Sequence, residues 1–182
     1  MRIISGKYKG RRITAPKKLP VRPTTDMAKE SLFNILNNHY YFDEVSVLDL
    51  FSGTGNISYE FSSRGTEQIL AVDQDYGCIR FINETAESFD MAIQTIKSDV
   101  FKFLEKSKQQ HTIIFADPPY NFTLEEFSKI PNLVFTNNLL ENEGLLIVEH
   151  SKYTDLSKLE NYTYSKSYGG NMFSFFELAT DN

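Results

Sequence analysis

Five apolar runs of strand length begin near Val45, Gln68, Met91, Thr112 and Leu145, and helix-compatible segments lie between them around Asn56, Gly77, Val100 and Leu124. Strands that are apolar on both faces and alternate with helices can be buried only beneath crossover helices. The pattern therefore predicts a mostly parallel sheet with right-handed connections. The last two runs break the alternation: Tyr162 to Tyr168 and Met172 to Leu178 flank Gly169-Gly170-Asn171, a turn signal that predicts an antiparallel hairpin. Ahead of the first strand, residues 2 to 15 read as a short basic hairpin, followed by a proline-punctuated connector from Pro16 to Pro23. A helix comes next, capped by Thr24 or Thr25, with Ala28, Leu32, Ile35 and Leu36 forming its core stripe. The expected fold is α/β and Rossmann-like: a central, mostly parallel seven-stranded sheet with helices on both faces, a C-terminal antiparallel hairpin and a basic N-terminal β-hairpin arm. At 182 residues and 41% hydrophobic content the chain has enough apolar material for one full core, so 1–182 is read as a single domain. Within it, 1–23 is a basic extension and 24–182 the α/β core.

Polar residues cluster where strands end. The run from Val45 to Phe51 carries Asp49 and leads into Ser52-Gly53-Thr54-Gly55 and a helix over Asn56 to Arg64. Glycines in such a strand–turn–helix allow a ligand to approach the backbone. A second strand, Gln68 to Val72, ends in Asp73, eighteen residues beyond Gly55, where a carboxylate can accept hydrogen bonds from ribose hydroxyls. A nucleoside ligand is implied. A dinucleotide fingerprint has a third glycine three residues after Gly55, where Ser58 stands, and an NAD-dependent oxidoreductase remains the rival reading. Asp49 beside the turn disfavours a pyrophosphate and favours a ligand carrying an ammonium or sulfonium; S-adenosylmethionine carries both. The run Met91 to Lys97 leads to Asp99, which can read an adenine amino group and also cap a helix over Val100 to Lys106.

Asp117-Pro118-Pro119-Tyr120 follows the strand Thr112 to Ala116. Two prolines remove two N–H donors and hold the backbone extended, so the Asp117 carboxylate and the Pro118 carbonyl can point into one cleft beside the Tyr120 ring. Two acceptors and a stacking surface suit the exocyclic amine of a flipped nucleobase, which offers two N–H donors and a π-face. That amine is a poor nucleophile because its lone pair is delocalised. Donation of both hydrogens to fixed acceptors draws the nitrogen toward a pyramid, frees the lone pair for attack on a methyl group and stabilises the charge that develops.

Taken in order, Asp49-Leu50-Phe51-Ser52-Gly53-Thr54-Gly55, Ser63-Arg64-Gly65, Asp73, Asn83, Asp99, Asp117-Pro118-Pro119-Tyr120 and Gly144 with Glu149 resemble the bacterial small-subunit ribosomal RNA guanine-N2 methyltransferases of the RsmD type. The opening Met1-Arg2-Ile3-Ile4-Ser5-Gly6-Lys7-Tyr8-Lys9-Gly10-Arg11, with Arg22-Pro23-Thr24-Thr25-Asp26 and Glu30-Ser31-Leu32-Phe33-Asn34, is similar to that family's start and extends the resemblance over essentially the whole chain. The resemblance implies a class I methyltransferase fold and S-adenosylmethionine as cofactor. It also implies that Asp49, Gly53 and Gly55 line the methionine part, Asp73 holds the ribose and Asp99 the adenine. Phe51, Gln74 and Val100 would complete the pocket, and Thr24, Thr25 and Asp26 would close over it. Asp117, Pro118, Pro119 and Tyr120 would present the guanine amine, with Asp117 also at the cofactor. Ser52 in place of the usual Ala, Asn56-Ile57-Ser58 at the helix start and Gly170-Asn171 in the last hairpin depart from the family pattern.

A net charge of −5 argues against a nucleic-acid partner until its distribution is considered. Residues 1 to 29 hold nine Lys or Arg (Arg2, Lys7, Lys9, Arg11, Arg12, Lys17, Lys18, Arg22, Lys29) and one acid, Asp26, which makes this stretch +8 and the remainder −13. A basic arm on an acidic body can serve as an RNA handle, with Arg2, Lys7, Lys9, Arg11, Arg12 and Arg22 as the phosphate contacts; a solvated hairpin is the alternative. The resemblance implies that the partner is small-subunit ribosomal RNA within an assembled or assembling 30S particle. The single cysteine, Cys78, is expected to be a buried small residue, and a reducing cytoplasm fits it. His39, His111 and His150 lack metal-ligand spacing, so no metal is expected, and no long apolar span calls for a membrane. Adenine-N6 or cytosine-N4 methylation of RNA or DNA, protein glutamine methylation and a non-catalytic ribosome-assembly factor stay open as alternatives.

Overall fold

In the computed structural model, which describes residues 1–19 and 24–178, alternate side chains of each buried strand enter two different cores. The strands are β1 (Ser46–Leu50), β2 (Gln68–Asp73), β3 (Ile93–Lys97), β4 (His111–Ala116), β5 (Leu140–Ser151), β6 (Tyr162–Tyr168) and β7 (Asn171–Phe176). The helices are α1 (Asp26–Leu36), α2 (Asn56–Ser63), α3 (Tyr76–Phe89), α4 (Val100–Lys106) and α5 (Leu124–Thr136). Val47, Ile113, Phe115, Leu145, Ile147, Phe173 and Phe175 face a core shared with α1 and α2, while Leu48, Leu50, Ile114, Ala116, Leu146 and Val148 face one shared with α4 and α5. The period of two along each strand makes both faces apolar, and that is why the runs read as continuously hydrophobic.

The sheet order is β3-β2-β1-β4-β5-β7-β6, parallel from β3 to β5 and antiparallel thereafter. The chain runs outward from β1 in one direction through β2 and β3, then returns to β1's other side with β4. This switch point opens a crevice at the carboxyl ends of β1 and β4. Seven strands, helices on both faces and the final hairpin match the fold expected from the sequence. Boundaries differ for local reasons. β3 begins at Ile93 rather than Met91 because the Met91 N–H donates to Ala86 O and closes α3, with Asp90 in the left-handed region. β5 begins at Leu140, since Glu141 accepts from Ser46 Oγ at 3.1 Å and Thr112 Oγ1 at 2.8 Å and carries the strand edge through the polar stretch before Leu145.

The N-terminal arm pairs with itself at one antiparallel bridge, Arg2 to Arg12, rather than as a longer ladder. Its apolar residues Ile3 and Ile13 pack on Tyr59 and Ile82, and its backbone is bound to α2, with Lys7 N–H donating to Ser63 O at 2.6 Å. Gly6 sits at φ 82°, and a Cβ there would lie 1.7 Å from Ser63 O, so only glycine permits this approach. Glu60, with no exposed surface, accepts from the N–H groups of Ile4 and Ser5 at 2.8 and 3.0 Å and pairs with Arg64 at 2.9 Å and Lys29 at 3.3 Å. Lys29 is correspondingly buried; it donates to Arg2 O at 2.6 Å and Asn56 Oδ1 at 2.8 Å, and burial lowers its pKa against the opposing pull of Glu60. Lys29, counted above with the basic arm, is therefore an interior residue. Lys7, Lys9, Arg11 and Arg12 are exposed, whereas Arg2 pairs with Asp26 at 3.1 Å on the surface. Arg22 and the rest of 20–23 lie outside the described residues.

Among the described residues no helix is long and apolar enough to cross a membrane and no His, Cys, Asp and Glu side chains gather as a metal site. Cys78 is buried as expected, and burial pushes its thiol up to about 12. His150 is buried and bonds Ser174 Oγ through Nε2 at 2.7 Å; His111 is buried too, and burial lowers it to about 4.

Candidate active site

At the end of β1 the chain turns sharply. Phe51 takes φ 56°, a conformation uncommon for an aromatic residue and found where surrounding bonds enforce it. Those bonds are Ser52 N–H to Val72 O at 3.1 Å and Gly53 N–H to Asp73 Oδ2 at 2.8 Å. The other oxygen of Asp73 accepts from its own loop, Asp75 N–H, at 2.8 Å. Asp73 thus clamps the glycine turn to the end of β2, and each oxygen keeps a lone pair for another donor. Gly55 caps α2 at φ 83°, and a Cβ there would meet Ile82 and Tyr59 at 2.9 Å. Its small size serves helix packing.

Between the ends of β1, β2, β3 and β4 lies a cavity of about 950 Å³. Asp49, Phe51, Gly53, Asp73, Gln74, Asp99 and Val100 line it, together with Thr24 from the N-terminal side. Asp117, Pro118, Pro119 and Tyr120 line it from the end of β4. Three residues named with the pocket do not. Thr25 caps α1, accepting from Ala28 N–H at 3.2 Å; Asp26 pairs with Arg2; Gly55 packs under α3. Asp99 lines the cavity and also caps α4, accepting from Lys102 N–H at 3.0 Å, so its two readings coexist.

The lining carries seven carboxyl groups, from Asp49, Asp73, Asp75, Asp99, Asp117, Glu126 and Glu149, and no Lys or Arg among the described residues. Such a cavity repels a pyrophosphate and attracts a cation. Asp49 is buried, accepts from Ser58 Oγ at 2.6 Å and is pushed up to about 7, chiefly by burial and against the pull of that hydrogen bond. Ser58, where a dinucleotide site has its third glycine, is thus committed to the acid. Phe101 and Phe122 stack at 5.9 Å, with Phe51 edge-on to both, which adds an apolar wall beside Asp99 and Val100. Acids at the ends of β1, β2, β3 and β4, a flat apolar wall and no basic side chain among the described residues fit a nucleoside that carries positive charge.

Asp117 N–H donates to Leu50 O at 3.3 Å, which ties the end of β4 to that of β1. Pro118 is buried, Pro119 is exposed, and Phe122 N–H closes the loop on Pro119 O at 3.1 Å. The Tyr120 hydroxyl reaches Glu149 Oε1 at 3.3 Å. Glu149 and the Phe101–Phe122 wall were not among the residues singled out for the site. Glu149 follows the apolar run Leu145 to Val148, the same strand-then-acid pattern that marks Asp49 and Asp117, so a signal for it exists.

A family model described as Conserved hypothetical protein 95 matches residues 1–177. The chain is 34% identical over 161 residues to the protein YlbH of Bacillus subtilis (strain 168), an alignment covering 86% of this chain and 85% of that one. It is 30% identical over 150 residues to ribosomal RNA small subunit methyltransferase D of Escherichia coli (strain K12), covering 82% and 74%. Among solved structures, a hypothetical protein of Thermus thermophilus superposes with a TM-score of 0.84 at 25% identity over 98% of this chain and 99% of that one.

Proposed function

This chain belongs to the family described as Conserved hypothetical protein 95, and on that premise we propose that it methylates the exocyclic N2 amine of a guanine in small-subunit ribosomal RNA, using S-adenosylmethionine. Relatives of this chain carry the name ribosomal RNA small subunit methyltransferase D, and the activity those names share is methyl transfer to ribosomal RNA. The observation that carries the amine as acceptor is the loop Asp117-Pro118-Pro119-Tyr120 opening on an acid-lined cavity at the switch point between β1 and β4. Bound there, the cofactor supplies an electrophilic methyl group. Asp49 stands as the counter-charge to its cationic part, Asp73 accepts from ribose hydroxyls, and Asp99 reads the adenine edge beside the aromatic wall. Asp117 and the Pro118 carbonyl accept the two amine hydrogens, pyramidalise the nitrogen and stabilise its developing charge, while the Tyr120 ring stacks on the base. A ribosomal substrate implies action in the cytoplasm, on an assembled or assembling 30S particle.

The deciding experiment is transfer of a labelled methyl group to small subunits from a strain lacking the gene, with the product mapped by mass spectrometry. One N2-methylguanine is expected. A methyl on adenine N6 or cytosine N4 would replace this reading with its nearest alternative, and absence of transfer would favour a non-catalytic assembly factor.

The raised Asp49 pKa gives a pH prediction. Between its ordinary value of 3.8 and about 7 the folded protein keeps a proton that the unfolded chain has lost. In the free protein this group therefore favours folding most at low pH and loses that contribution as pH climbs to about 7. A cation in the cavity favours the carboxylate instead, so binding expels the proton. S-adenosylmethionine affinity measured by calorimetry from pH 5.5 to 7.5 should rise by up to about tenfold per pH unit and level off toward the upper end. Asp49→Asn should flatten the profile, and an unchanged slope in that variant would remove Asp49 from the role.

The arm offers a second check. We assign Lys7, Lys9, Arg11 and Arg12 to phosphate contacts, since they are exposed around a docked backbone. Replacing all four with Ala should weaken RNA binding and flatten its salt dependence by about 0.7 in the log–log slope for each lost contact to single-stranded RNA, with cofactor affinity retained. Parallel curves of equal slope would reduce the arm to a solvated hairpin.

A further inference from the structure

Along β5, Leu145, Ile147 and Glu149 share one face of the sheet by the period of two, and the first two enter the core beneath α1 and α2. At the third position, one residue past the pairing of Val148 with Ala116, the apolar series gives way to an acid that is only 1% exposed. A buried carboxyl group is costly unless donors surround it. Among the described residues, side chains from three distant segments donate to it: Asn171 Nδ2 at 2.6 Å, Thr24 Oγ1 at 3.0 Å and the Tyr120 hydroxyl at 3.3 Å. Thr24 is itself held, since Asn56 Nδ2 donates to its carbonyl at 3.2 Å and Asn56 Oδ1 accepts from buried Lys29 at 2.8 Å. Asn171 is fixed by the β7 ladder, where it pairs with Ser151 of β5.

Tyr120, by contrast, lies in the loop between β4 and α5. A hydroxyl bonded to an acceptor locked on two other sides restricts the swing of its ring. We propose that Glu149 is a positioning residue for methyl transfer: its carboxyl group holds the Tyr120 ring at the mouth of the acceptor loop, and Thr24 and Asn171 hold the carboxyl group. The inference rests on the function proposed above, and it deepens that function by identifying what orients the stacking ring.

The test compares Tyr120→Phe, Glu149→Gln, Glu149→Ala and the double variant Tyr120→Phe/Glu149→Ala. Rates on hypomethylated small subunits are measured beside calorimetric affinity for S-adenosylhomocysteine. Glu149→Ala should lower kcat by about 10- to 100-fold, with affinity for S-adenosylhomocysteine within about threefold of the parent, as loss of orientation rather than of cofactor binding requires. Glu149→Gln keeps an amide oxygen where Asn171 and Tyr120 donate and should recover to within about fivefold of the parent. Tyr120→Phe retains the ring but loses its bond to Glu149, so its kcat should fall by about the same factor as in Glu149→Ala. The double variant should match Glu149→Ala, because the hydroxyl has no effect once its acceptor is gone.

Multiplicative losses in the double variant would overturn the inference. So would a Glu149→Ala protein whose S-adenosylhomocysteine affinity falls as far as its turnover. If Glu149→Ala does not fold, the two conservative variants decide, and full activity of Tyr120→Phe refutes the role. A parent enzyme that labels no ribosomal RNA overturns the underlying function and this inference with it, an outcome distinct from an active parent with indifferent variants.

Discussion

Asp117→Ala is expected to lower methyl transfer by about a hundredfold or more while S-adenosylmethionine affinity stays within a few-fold of the parent. The size of the effect follows from where the acceptor is needed. In the ground state the amine is planar and loses little if one hydrogen bond goes unmade. As the new bond forms, positive charge grows on nitrogen, and a preorganised acceptor in a site shielded from water is worth several times its value in solution. Asp117 is well placed for this because its N–H is tied to Leu50 O at 3.3 Å and the following Pro118 is buried, so the backbone that presents the acceptors is held by both strands. Asp117→Asn retains one oxygen and should fall between the two. Single-turnover rates with saturating cofactor separate this loss from binding. Turnover within a few-fold of the parent in Asp117→Ala would remove the residue from the chemistry.

Glu60→Ala is expected to destabilise the protein by about 3–5 kcal/mol, the largest stability effect predicted for this molecule. Lys29 and Glu60 are both buried, and Glu60 is bound by four donors: the Arg64 guanidinium, the Lys29 ammonium and two backbone N–H groups of the arm. Removing the carboxylate leaves the Lys29 ammonium in the interior with the Arg2 carbonyl and Asn56 Oδ1 as acceptors, and strands the amides of Ile4 and Ser5. An apolar replacement of the ion pair alone, Lys29→Met with Glu60→Leu, should recover only part of the loss. Such replacements succeed where two charges are merely traded for packing, whereas here the carboxylate also satisfies the arm's backbone. Urea unfolding with a constant m-value would report the change, and limited proteolysis should cut the arm first. A Glu60→Ala protein within 1 kcal/mol of the parent would mean that water replaces the acid without penalty.

The two predictions probe different kinds of information in the chain. Asp49, Asp73, Asp99 and Asp117, which the structure brings together around the cavity, were legible because each stands at or beside the end of an apolar run. In a parallel sheet all carboxyl ends of the strands lie on one edge, so a local pattern repeated along the sequence becomes a cluster in space. The two cores were legible for a similar reason, since the period of two fixes which side chains share a face. Sheet order, and hence the location of the switch point between β1 and β4, depends on which strands pair, and strand-length apolar runs carry no label for their neighbours.

Charge was the least legible property. Lys29 has the same formal charge as Lys7 or Arg11, and only its position on the inward face of α1, opposite Glu60 on α2, turns it from a surface cation into a buried ion. Asp49 and Asp73 are identical side chains one strand apart. Asp49 is buried at the cavity wall against Ser58 and raised to about 7, while Asp73 is partly open and bonded to two backbone amides. Among the described residues, Glu149 is bonded by side chains from positions 24, 120 and 171. Local sequence determined which residues end strands, cap helices and turn the chain, because those effects act over a few bonds. Burial, ionisation and the convergence of distant donors were decided by tertiary structure, because desolvation and hydrogen bonding depend on what the fold brings within a few ångströms, whatever the separation along the chain.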